Sequence, residues 1–406
     1  MTSFAAAITG IGLVTPAGIG VEENWQNVLK AKKTAAHDSE LTDLPVDIAC
    51  RVPGFSPARS GLRKAWQFDR YAQFAIVAAR DALADAGYQP GVWADSARVA
   101  VVIGSGAGGT ATLEAQHKVL LQEGPSEISA MTLPMGLLNM AAGQLAIDIG
   151  ANGPCLAPCS ACASGASAIG LGREMLRTGV ADIVIAGGAE APITPCTRRR
   201  SPAHACAVAA DGHTRDGVPA FRRDARRVRS RRGAGVVVLE SEEHARARGV
   251  RTYGKVIGYG ASADAHHVTS PHPEGRGAEL AVRAALTDAG MSGSDVKYVN
   301  AHGTSTPLND VIESGVIRRV IGPDAAVSST KGVTGHPLGA AGAIEAAFAA
   351  LAAYHGLIPP TANLKDPDSR IDVDLVYKEP RSGSVDIALS NSFGFGGQNT
   401  ALLIAA

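Results

Sequence analysis

One cysteine of this sequence has the surroundings of a reactive nucleophile. Cys162 lies in Ser160-Ala-Cys-Ala-Ser-Gly-Ala, and the Ala-rich stretch after it is predicted to form a helix that ends at Gly179. A sulfur at the first turn of a helix faces unsatisfied N–H groups and the positive end of the helix dipole, which favour a thiolate. Isolated cysteines are more often buried and inert. Cys162 is therefore a candidate nucleophile whose assignment depends on its neighbours.

Two histidines lie in turns that could supply those neighbours. His302 lies in Asn300-Ala-His-Gly-Thr-Ser-Thr-Pro, directly after a predicted strand. His336 lies in Thr334-Gly-His-Pro-Leu-Gly-Ala-Ala-Gly, directly before a predicted helix. Sites in α/β folds gather at such ends of regular elements. A single histidine there would more often be structural, but both of these lie in the half of the chain opposite Cys162, which strengthens the case for a reactive site.

The chain repeats itself at an interval of about 200 residues. The pairs are Ala82-Leu-Ala-Asp-Ala-Gly with Ala285-Leu-Thr-Asp-Ala-Gly, and Ala181-Asp-Ile-Val-Ile-Ala-Gly-Gly with Val385-Asp-Ile-Ala-Leu-Ser-Asn-Ser. Near-continuous apolar runs alternate with Ala-rich helical patterns, which is typical of α/β folds whose sheets are buried on both faces. The sequence predicts two similar α/β halves, 1–247 and 248–406, that share a helical layer, with a loop insertion at about 193–232.

The composition excludes several classes of protein. Hydrophobic residues make up 46% of the chain and charged residues 19%, which is typical of a folded protein rather than a disordered one. Lys and Arg together number 38, as do Asp and Glu, so no net charge attracts the chain to nucleic acid or to a membrane. The start Met-Thr-Ser-Phe lacks the basic region of a signal peptide, so we expect a reducing cytoplasm.

The six cysteines do not form the paired C-x-x-C motifs of a zinc ribbon, and no metal site is expected. One C-x-x-C is present, because Cys159 precedes Cys162 by three residues. A redox pair would need both sulfurs at one helix start, and Cys159 comes before the predicted helix. It is therefore interpreted as a core thiol.

Four motifs together resemble the β-ketoacyl-[acyl-carrier-protein] synthases of the elongating, type II kind, in the thiolase-like superfamily. They are Ser160-Ala-Cys-Ala-Ser-Gly-Ala, Ala301-His-Gly-Thr-Ser-Thr-Pro, Lys331 with Thr334-Gly-His-Pro-Leu-Gly-Ala-Ala-Gly, and Asn391-Ser-Phe-Gly-Phe-Gly-Gly. The resemblance covers roughly 5–192 and 233–403. It implies a thiolase-like fold, in which two similar α/β halves form a five-layer α-β-α-β-α sandwich.

The resemblance also implies a reaction. Cys162 would take an acyl chain from acyl carrier protein as a thioester, and malonyl carrier protein would then lose carbon dioxide. The carbanion would attack the thioester and release a 3-oxoacyl chain that is two carbons longer. His302 and His336 would donate hydrogen bonds to the malonyl thioester oxygen, on which decarboxylation builds negative charge. The backbone N–H groups of Cys162 and Phe395 would hold the oxyanion of acyl transfer.

Further residues have a role only by this resemblance. Lys331 and Glu345 would order the histidines, although a simple structural ion pair would look the same in sequence. Thr304, Thr306 and Phe395 would contact the phosphopantetheine arm, although threonines also form ordinary turns. Ala107 would widen the acyl pocket at a position where relatives carry a larger gate residue, or it merely packs a tight turn. No cofactor is expected beyond the phosphopantetheine of the carrier protein.

The resemblance implies acyl carrier protein as a partner and a homodimer as the assembly, with no nucleic-acid or membrane partner. A heterodimer with a chain-length partner, as in type II polyketide synthesis, remains an alternative. The chain could itself be a non-catalytic chain-length partner, but such proteins lack the cysteine that is present here. A degradative thiolase would carry a second cysteine near its C-terminus, and Asn391-Ser-Phe-Gly-Phe-Gly-Gly has none.

One stretch departs from the family pattern, because seven of the eleven residues 222–232 are Arg. Three explanations compete. The stretch is a basic docking surface for an acidic carrier protein, or the product of a misread reading frame, or a nucleic-acid patch. The zero net charge argues against the last.

Overall fold

The computed structural model describes residues 4–42, 48–58, 60–194, 220–221 and 232–406. Its strands are β1 (Ala6–Thr15), β2 (Gly18–Ile19), β3 (Ala36–His37), β4 (Ile48–Ala49), β5 (Val99–Gly104), β6 (Cys155–Leu156), β7 (Ile183–Glu190), β8 (Gly233–Ser241), β9 (Gly254–Ala263), β10 (Tyr298–Asn300), β11 (Ala326–Ser328), β12 (Leu357–Ile358), β13 (Asp374–Leu375), β14 (Arg381–Ser382), β15 (Ile387–Gly394) and β16 (Gln398–Ala405). Its helices are α1 (Val21–Leu29), α2 (Arg70–Asp85), α3 (Thr110–Gln122), α4 (Thr132–Gly136), α5 (Met140–Ile149), α6 (Ser164–Arg177), α7 (Glu242–Arg248), α8 (Arg276–Ala289), α9 (Pro307–Val320), α10 (Lys331–Thr334) and α11 (Ala341–His355).

The strand order repeats between the two halves. In space the first half reads β1-β8-β7-β5-β6, and the second reads β9-β16-β15-β10-β11 with β13 added at the edge. In each half the first two neighbouring pairs are antiparallel and the next two are parallel. The prediction of two similar α/β halves is confirmed. The two halves join where β1 pairs with β9, which makes one continuous sheet, and the boundary between residues 247 and 248 stays a prediction.

Three hydrophobic cores separate the layers. The first lies between α2, α5 and the sheet of the first half, and the third lies between α8, α9 and the sheet of the second half. The middle core holds α6 and α11. Strands contribute to two cores alternately: in β8, Val236 and Val238 face α2, whereas Val237 and Leu239 face the central helices. This is the predicted α-β-α-β-α order, and it explains why the strands read as near-continuous apolar runs.

The two central helices position the chemistry. Helix α6 begins directly after the turn that holds Cys162, and α11 begins directly after the turn that follows His336. The apolar run Leu338–His355 is long enough to cross a membrane by length and composition, but 83% of it is buried inside the fold. Such burial is expected of the central helix of a layered core.

The Arg-rich stretch lies at 222–231 outside the described residues, as do residues 195–219 of the predicted insertion. The described residues beside these gaps belong to the folded core. Phe221 is fully buried, and its backbone N–H donates to Asp310 over 2.7 Å. Arg232 donates to the backbone oxygen of Ile193 over 3.1 Å. The three explanations of the Arg-rich stretch therefore stay untested.

Candidate active site

Cys162 lies in a short 3₁₀ turn, Ala161–Ala163, immediately before α6. The side chain is buried, at 5% exposed. Burial raises the pKa of the Cys162 thiol to about 12, against the opposing effects of Lys331 and of a hydrogen bond from the backbone N–H of Phe395. The position at a helix start, which by itself favours a thiolate, was predicted correctly. Burial of the sulfur outweighs the helix-start effect, so the free protein holds a protonated thiol.

Both predicted oxyanion donors lie beside this sulfur. The Phe395 N–H donates to the sulfur itself. A side chain built on Gly394 would come within 2.4 Å of the Ser160 oxygen and 3.2 Å of the Cys162 nitrogen. Only glycine therefore allows the loop 394–397 to lie this close to the cysteine turn. The arrangement places two backbone N–H groups near one reactive sulfur, which suits a negative charge developing next to it.

The two histidines lie in the same cavity as Cys162. Their rings are 5.3 Å apart between centroids and nearly perpendicular, at 86°. The cavity has a volume of about 500 Å³ and is lined by Cys162, His302, His336, Thr304, Thr306, Phe393 and Phe395, among others. The structure therefore brings together the three residues that the sequence singled out, although they come from both halves of the chain.

Lys331 connects the histidine pair to a buried carboxylate. Its ammonium forms a buried salt bridge with Glu345 and lies 3.4 Å from Nδ1 of His302. An ammonium has no lone pair, so it must donate, and Nδ1 must accept. Burial, with help from Lys331 and His336, holds the pKa of His302 well below its usual range. His302 is therefore neutral and carries its proton on Nε2, which leaves that nitrogen available as a donor.

A second carboxylate holds the His302 turn, and sequence reasoning missed it. Glu313 is buried and accepts hydrogen bonds from the backbone N–H groups of His302 and Gly303, both over 2.8 Å. It also accepts from Asn391 over 3.2 Å. Burial raises the pKa of Glu313. In sequence it is one of two acidic residues, with Asp310, on an ordinary helix, so no signal pointed to it.

Of the remaining residues that the sequence analysis singled out, some line the cavity and others do not. Thr304 and Thr306 line the cavity, and their hydroxyl oxygens are 3.1 Å apart. Ala107 does not line this cavity; its backbone N–H instead donates to Glu190 over 3.1 Å. Cys159 is exposed, so its interpretation as a core thiol was wrong. The residues just before the cysteine turn lie at the surface, because β6 is the edge strand of the sheet.

Several buried oxygens beside the salt bridge have no protein partner. They include Oδ1 of Asn300, Oε2 of Glu345 and Oγ of Ser390. Asn300 and Ser390 are neighbours in paired strands, and the Asn300 amide donates to the backbone oxygen of Glu345 over 3.4 Å. Ordered water hydrogen-bonds to buried polar oxygens of this kind in proteins, and hard cations also bind oxygen ligands. No cluster of three or more His, Cys, Asp or Glu ligands is found within the described ranges.

Comparison with known proteins shows to which family the chain belongs. Residues 5–245 match the beta-ketoacyl synthase N-terminal domain, and residues 253–365 match the C-terminal domain of the same family. The chain belongs to the beta-ketoacyl synthase family. The 3-oxoacyl-[acyl-carrier-protein] synthase 2 of Rhizobium meliloti (strain 1021) is 42% identical to it, over 98% of this chain and 97% of that protein.

Solved ketosynthase structures share the whole fold with this beta-ketoacyl synthase. The ishigamide ketosynthase/chain length factor superposes with a TM-score of 0.92 and 30% identity, over 100% of both chains. A ketosynthase bound to a hexaketide, in complex with its type II acyl-carrier protein, gives a TM-score of 0.89 and 29% identity over 100% of both chains. The predicted family and the thiolase-like fold are confirmed.

Proposed function

We propose that this beta-ketoacyl synthase condenses malonyl-acyl carrier protein with an acyl chain held on Cys162. The reaction is a decarboxylative Claisen condensation that elongates a fatty-acid or polyketide chain by two carbons. One observation carries the proposal: a single cavity holds a buried thiol, two adjacent imidazoles and a backbone N–H that donates to the sulfur. Each group matches one need of the two half-reactions.

In the first half-reaction the Cys162 sulfur attacks the acyl thioester, and the carrier thiol leaves with the proton that the cysteine loses. The backbone N–H groups of Cys162 and Phe395 stabilise the negative oxygen of the tetrahedral intermediate. The free thiol is protonated in its buried site, so the sulfur becomes nucleophilic as this proton is removed. The positive charge of Lys331 favours that step.

In the second half-reaction carbon dioxide leaves the malonyl group, and the electron pair moves towards the thioester oxygen. His302 and His336 donate hydrogen bonds to that oxygen. A neutral His302 can do so because Lys331 occupies its Nδ1 and leaves the proton on Nε2. The resulting carbanion then attacks the Cys162 thioester, and the Cys162 sulfur leaves as a thiolate that takes up a proton from water. Thr304 and Thr306 line the same cavity and suit hydrogen bonds to the phosphopantetheine arm.

A ketosynthase subunit paired with a chain-length partner is the second candidate. It is favoured by the likeness to the ishigamide ketosynthase/chain length factor. A non-catalytic partner is disfavoured because Cys162, His302 and His336 are all present in one cavity. The product distinguishes the candidates, since a self-sufficient enzyme elongates without a second chain.

We also propose the partners of the reaction and its compartment. The acyl and malonyl groups arrive on acyl carrier protein, and the reaction takes place in the cytoplasm without a further cofactor. We place a homodimer contact on the surface from α3 through α4 and α5 to β6, where each element touches the next. This surface exposes large apolar side chains, including Leu121, Leu133, Ile147 and Leu156, and it ends at an edge strand that a second copy could extend.

The test combines the purified protein with acyl carrier protein charged with an acyl or a malonyl group. Mass spectrometry should find the acyl chain on Cys162 and a 3-oxoacyl product on the carrier. Cys162→Ala should abolish both, whereas Cys159→Ala, which removes the exposed thiol three residues away, should change neither. Acylation of Cys159 instead, or wild-type protein that forms neither species, contradicts the proposal. Product that forms only after a chain-length partner is added favours the second candidate.

A further inference from the structure

A fully buried carboxylate that the proposed reaction does not use lies at the end of β7. Glu190 accepts four hydrogen bonds, two on each oxygen. Oε1 accepts from the Ser105 hydroxyl over 3.0 Å and from the Ala107 N–H over 3.1 Å. Oε2 accepts from the Gly106 N–H over 2.8 Å and from the Gly339 N–H over 3.0 Å. No Lys or Arg among the described residues forms a salt bridge with it.

These four donors belong to two turns from different halves of the protein. Ser105, Gly106 and Ala107 follow β5 in the first half, whereas Gly339 follows His336 in the second half. A side chain built on Gly339 would lie 2.4 Å from the Gly106 nitrogen, so the two turns are in direct contact. Glu190 therefore bridges the halves where they meet.

The two turns that donate to Glu190 border the reactive residues. A side chain on Gly106 would lie 3.4 Å from the backbone oxygen of Ala161, the residue before Cys162. On the other side Leu338, next to Gly339, lines the cavity together with His336. A shift of either turn would therefore move the surroundings of the nucleophile or of one histidine.

We propose that Glu190 is a positioning residue of the condensing site, which clamps the 105–107 turn to Gly339 and so holds Cys162 and His336 in register. This inference rests on the proposed function. The carboxylate touches no substrate and acts through the two turns. Its ionised form is the functional one, because three of its four partners are backbone N–H groups that can only donate.

The clamp should weaken as the pH falls through neutrality. Burial raises the pKa of Glu190 to about 7, against the opposing hydrogen bonds. A protonated oxygen must itself donate, and only the Ser105 hydroxyl among the four partners can accept. Within the described part of the chain, the titratable groups that face Glu190 are Cys162 and Tyr71, whose pKa values burial also raises, so both are neutral at this pH. Among the groups that face Glu190, the change of charge near neutrality therefore belongs to Glu190 itself.

The test compares Glu190→Gln with Glu240→Gln. Gln keeps the shape of Glu190 but turns an N–H towards at least one donor. Glu240 is also fully buried and accepts from Thr9 and Tyr88, but it lies near the other end of the β7–β8 pair. At about pH 8, Glu190→Gln should lower kcat/KM for condensation about tenfold or more, and Glu240→Gln less than about twofold. The deficit of Glu190→Gln should shrink below about pH 6, where the wild type has lost its carboxylate too.

Alkylation of Cys162 by iodoacetamide supplies a readout that needs no condensation. At about pH 8, Glu190→Gln should be alkylated about threefold faster than wild type or Glu240→Gln, because a nearby negative charge is gone and the turn is looser. Should Glu190→Gln fail to fold, Ser105→Ala removes one donor and should lower condensation by about twofold to fivefold. A deficit that does not change with pH, or that both glutamine variants share, overturns the clamp. Unaltered alkylation of Cys162 overturns the clamp, whatever the condensation assay shows. A wild type that cannot condense would refute the proposed function alone.

Discussion

Replacing Lys331 with Met should separate the stability that the lysine provides from its effect on catalysis. Lys331 is fully buried between Glu345, with which it forms a salt bridge, and Nδ1 of His302 at 3.4 Å. Met has nearly the same length and volume, but it has no charge and no N–H donor. The substitution therefore removes the salt bridge and the hydrogen bond to His302 while it keeps the packing.

The expected loss of stability comes from the buried Glu345 carboxylate, which the substitution leaves without its salt-bridge partner. Removing one member of a buried pair typically costs about 3–5 kcal/mol. Burial raises the pKa of Glu345 to about 7, so an unpaired Glu345 takes up a proton near neutrality and limits the cost. We therefore expect a loss near the lower end, about 3 kcal/mol in the free energy of unfolding.

The expected loss of activity has a different origin. Without Lys331 the Nδ1 of His302 has no fixed donor, and the proton is free to move between the two ring nitrogens. The pKa of His302, which burial and Lys331 depress, should rise towards its ordinary value, yet the ring stays neutral at about pH 8. Decarboxylation of malonyl carrier protein should therefore fall about a hundredfold, as when one donor to a developing oxyanion is lost.

A double variant tells the two effects apart. Lys331→Met with Glu345→Leu replaces the ion pair with apolar side chains, which is often neutral for stability. Urea unfolding should show that the double variant regains most of the loss, whereas carbon dioxide release, measured with Cys162 blocked, should stay low. If the double variant regains decarboxylation together with stability, Lys331 serves only the ion pair, and the reasoning about His302 is refuted.

Three further predictions concern the two histidines, Ala107 and Glu190. Replacing His302 or His336 with Ala should cost condensation about a hundredfold or more while acylation of Cys162 survives better; equal loss of both half-reactions would contradict this division. The gate role of Ala107 rests on the family resemblance alone, because this residue does not line the cavity around Cys162. If that role holds, Ala107→Ile should shift chain preference towards short primers without changing malonyl decarboxylation, and a wild-type product profile would show that residue 107 is no gate. Burial raises the pKa of Glu190 from its ordinary 4.5 to about 7, so the folded state holds this proton more tightly than the unfolded state. Its contribution to stability should therefore fall by up to about 3 kcal/mol as the pH rises between those values, and urea unfolding of Glu190→Gln should lack that slope.

The fold could be predicted because the sequence contains an internal repeat, so its two halves can be compared with each other. The matched segments 181–188 and 385–392 overlap β7 and β15, which hold equivalent places in the two strand orders. Two copies of one sequence pattern predict that both halves have the same topology. The apolar strands indicate that both faces of the sheet are covered. The joining of the halves through β1 and β9 could not be predicted, because the pairing of distant edge strands leaves no periodic trace.

The reactive residues could be predicted for a related reason, since Cys162, His302 and His336 all lie at ends of regular elements. The electrostatics could not be predicted in this way. The thiol pKa depends on how deeply the fold buries the sulfur, which local sequence does not show. Glu190 and Glu313 were missed because a carboxylate that accepts several backbone N–H groups looks, in sequence, like any other acidic residue.

The repeat also explains why the site lies between the halves. Each central helix is preceded by a 3₁₀ turn, Ala161–Ala163 before α6 and Leu338–Ala340 before α11. The turn in the first half contains Cys162, and the turn in the second half follows His336. The strands β7 and β15 are both eight residues long, which makes Glu190 the counterpart of Gly394. In one copy this strand end carries a carboxylate that clamps two turns, and in the other it carries the glycine that brings the Phe395 N–H to the sulfur. Divergence of paired positions at one interface is therefore enough to build an asymmetric site from a nearly symmetric fold.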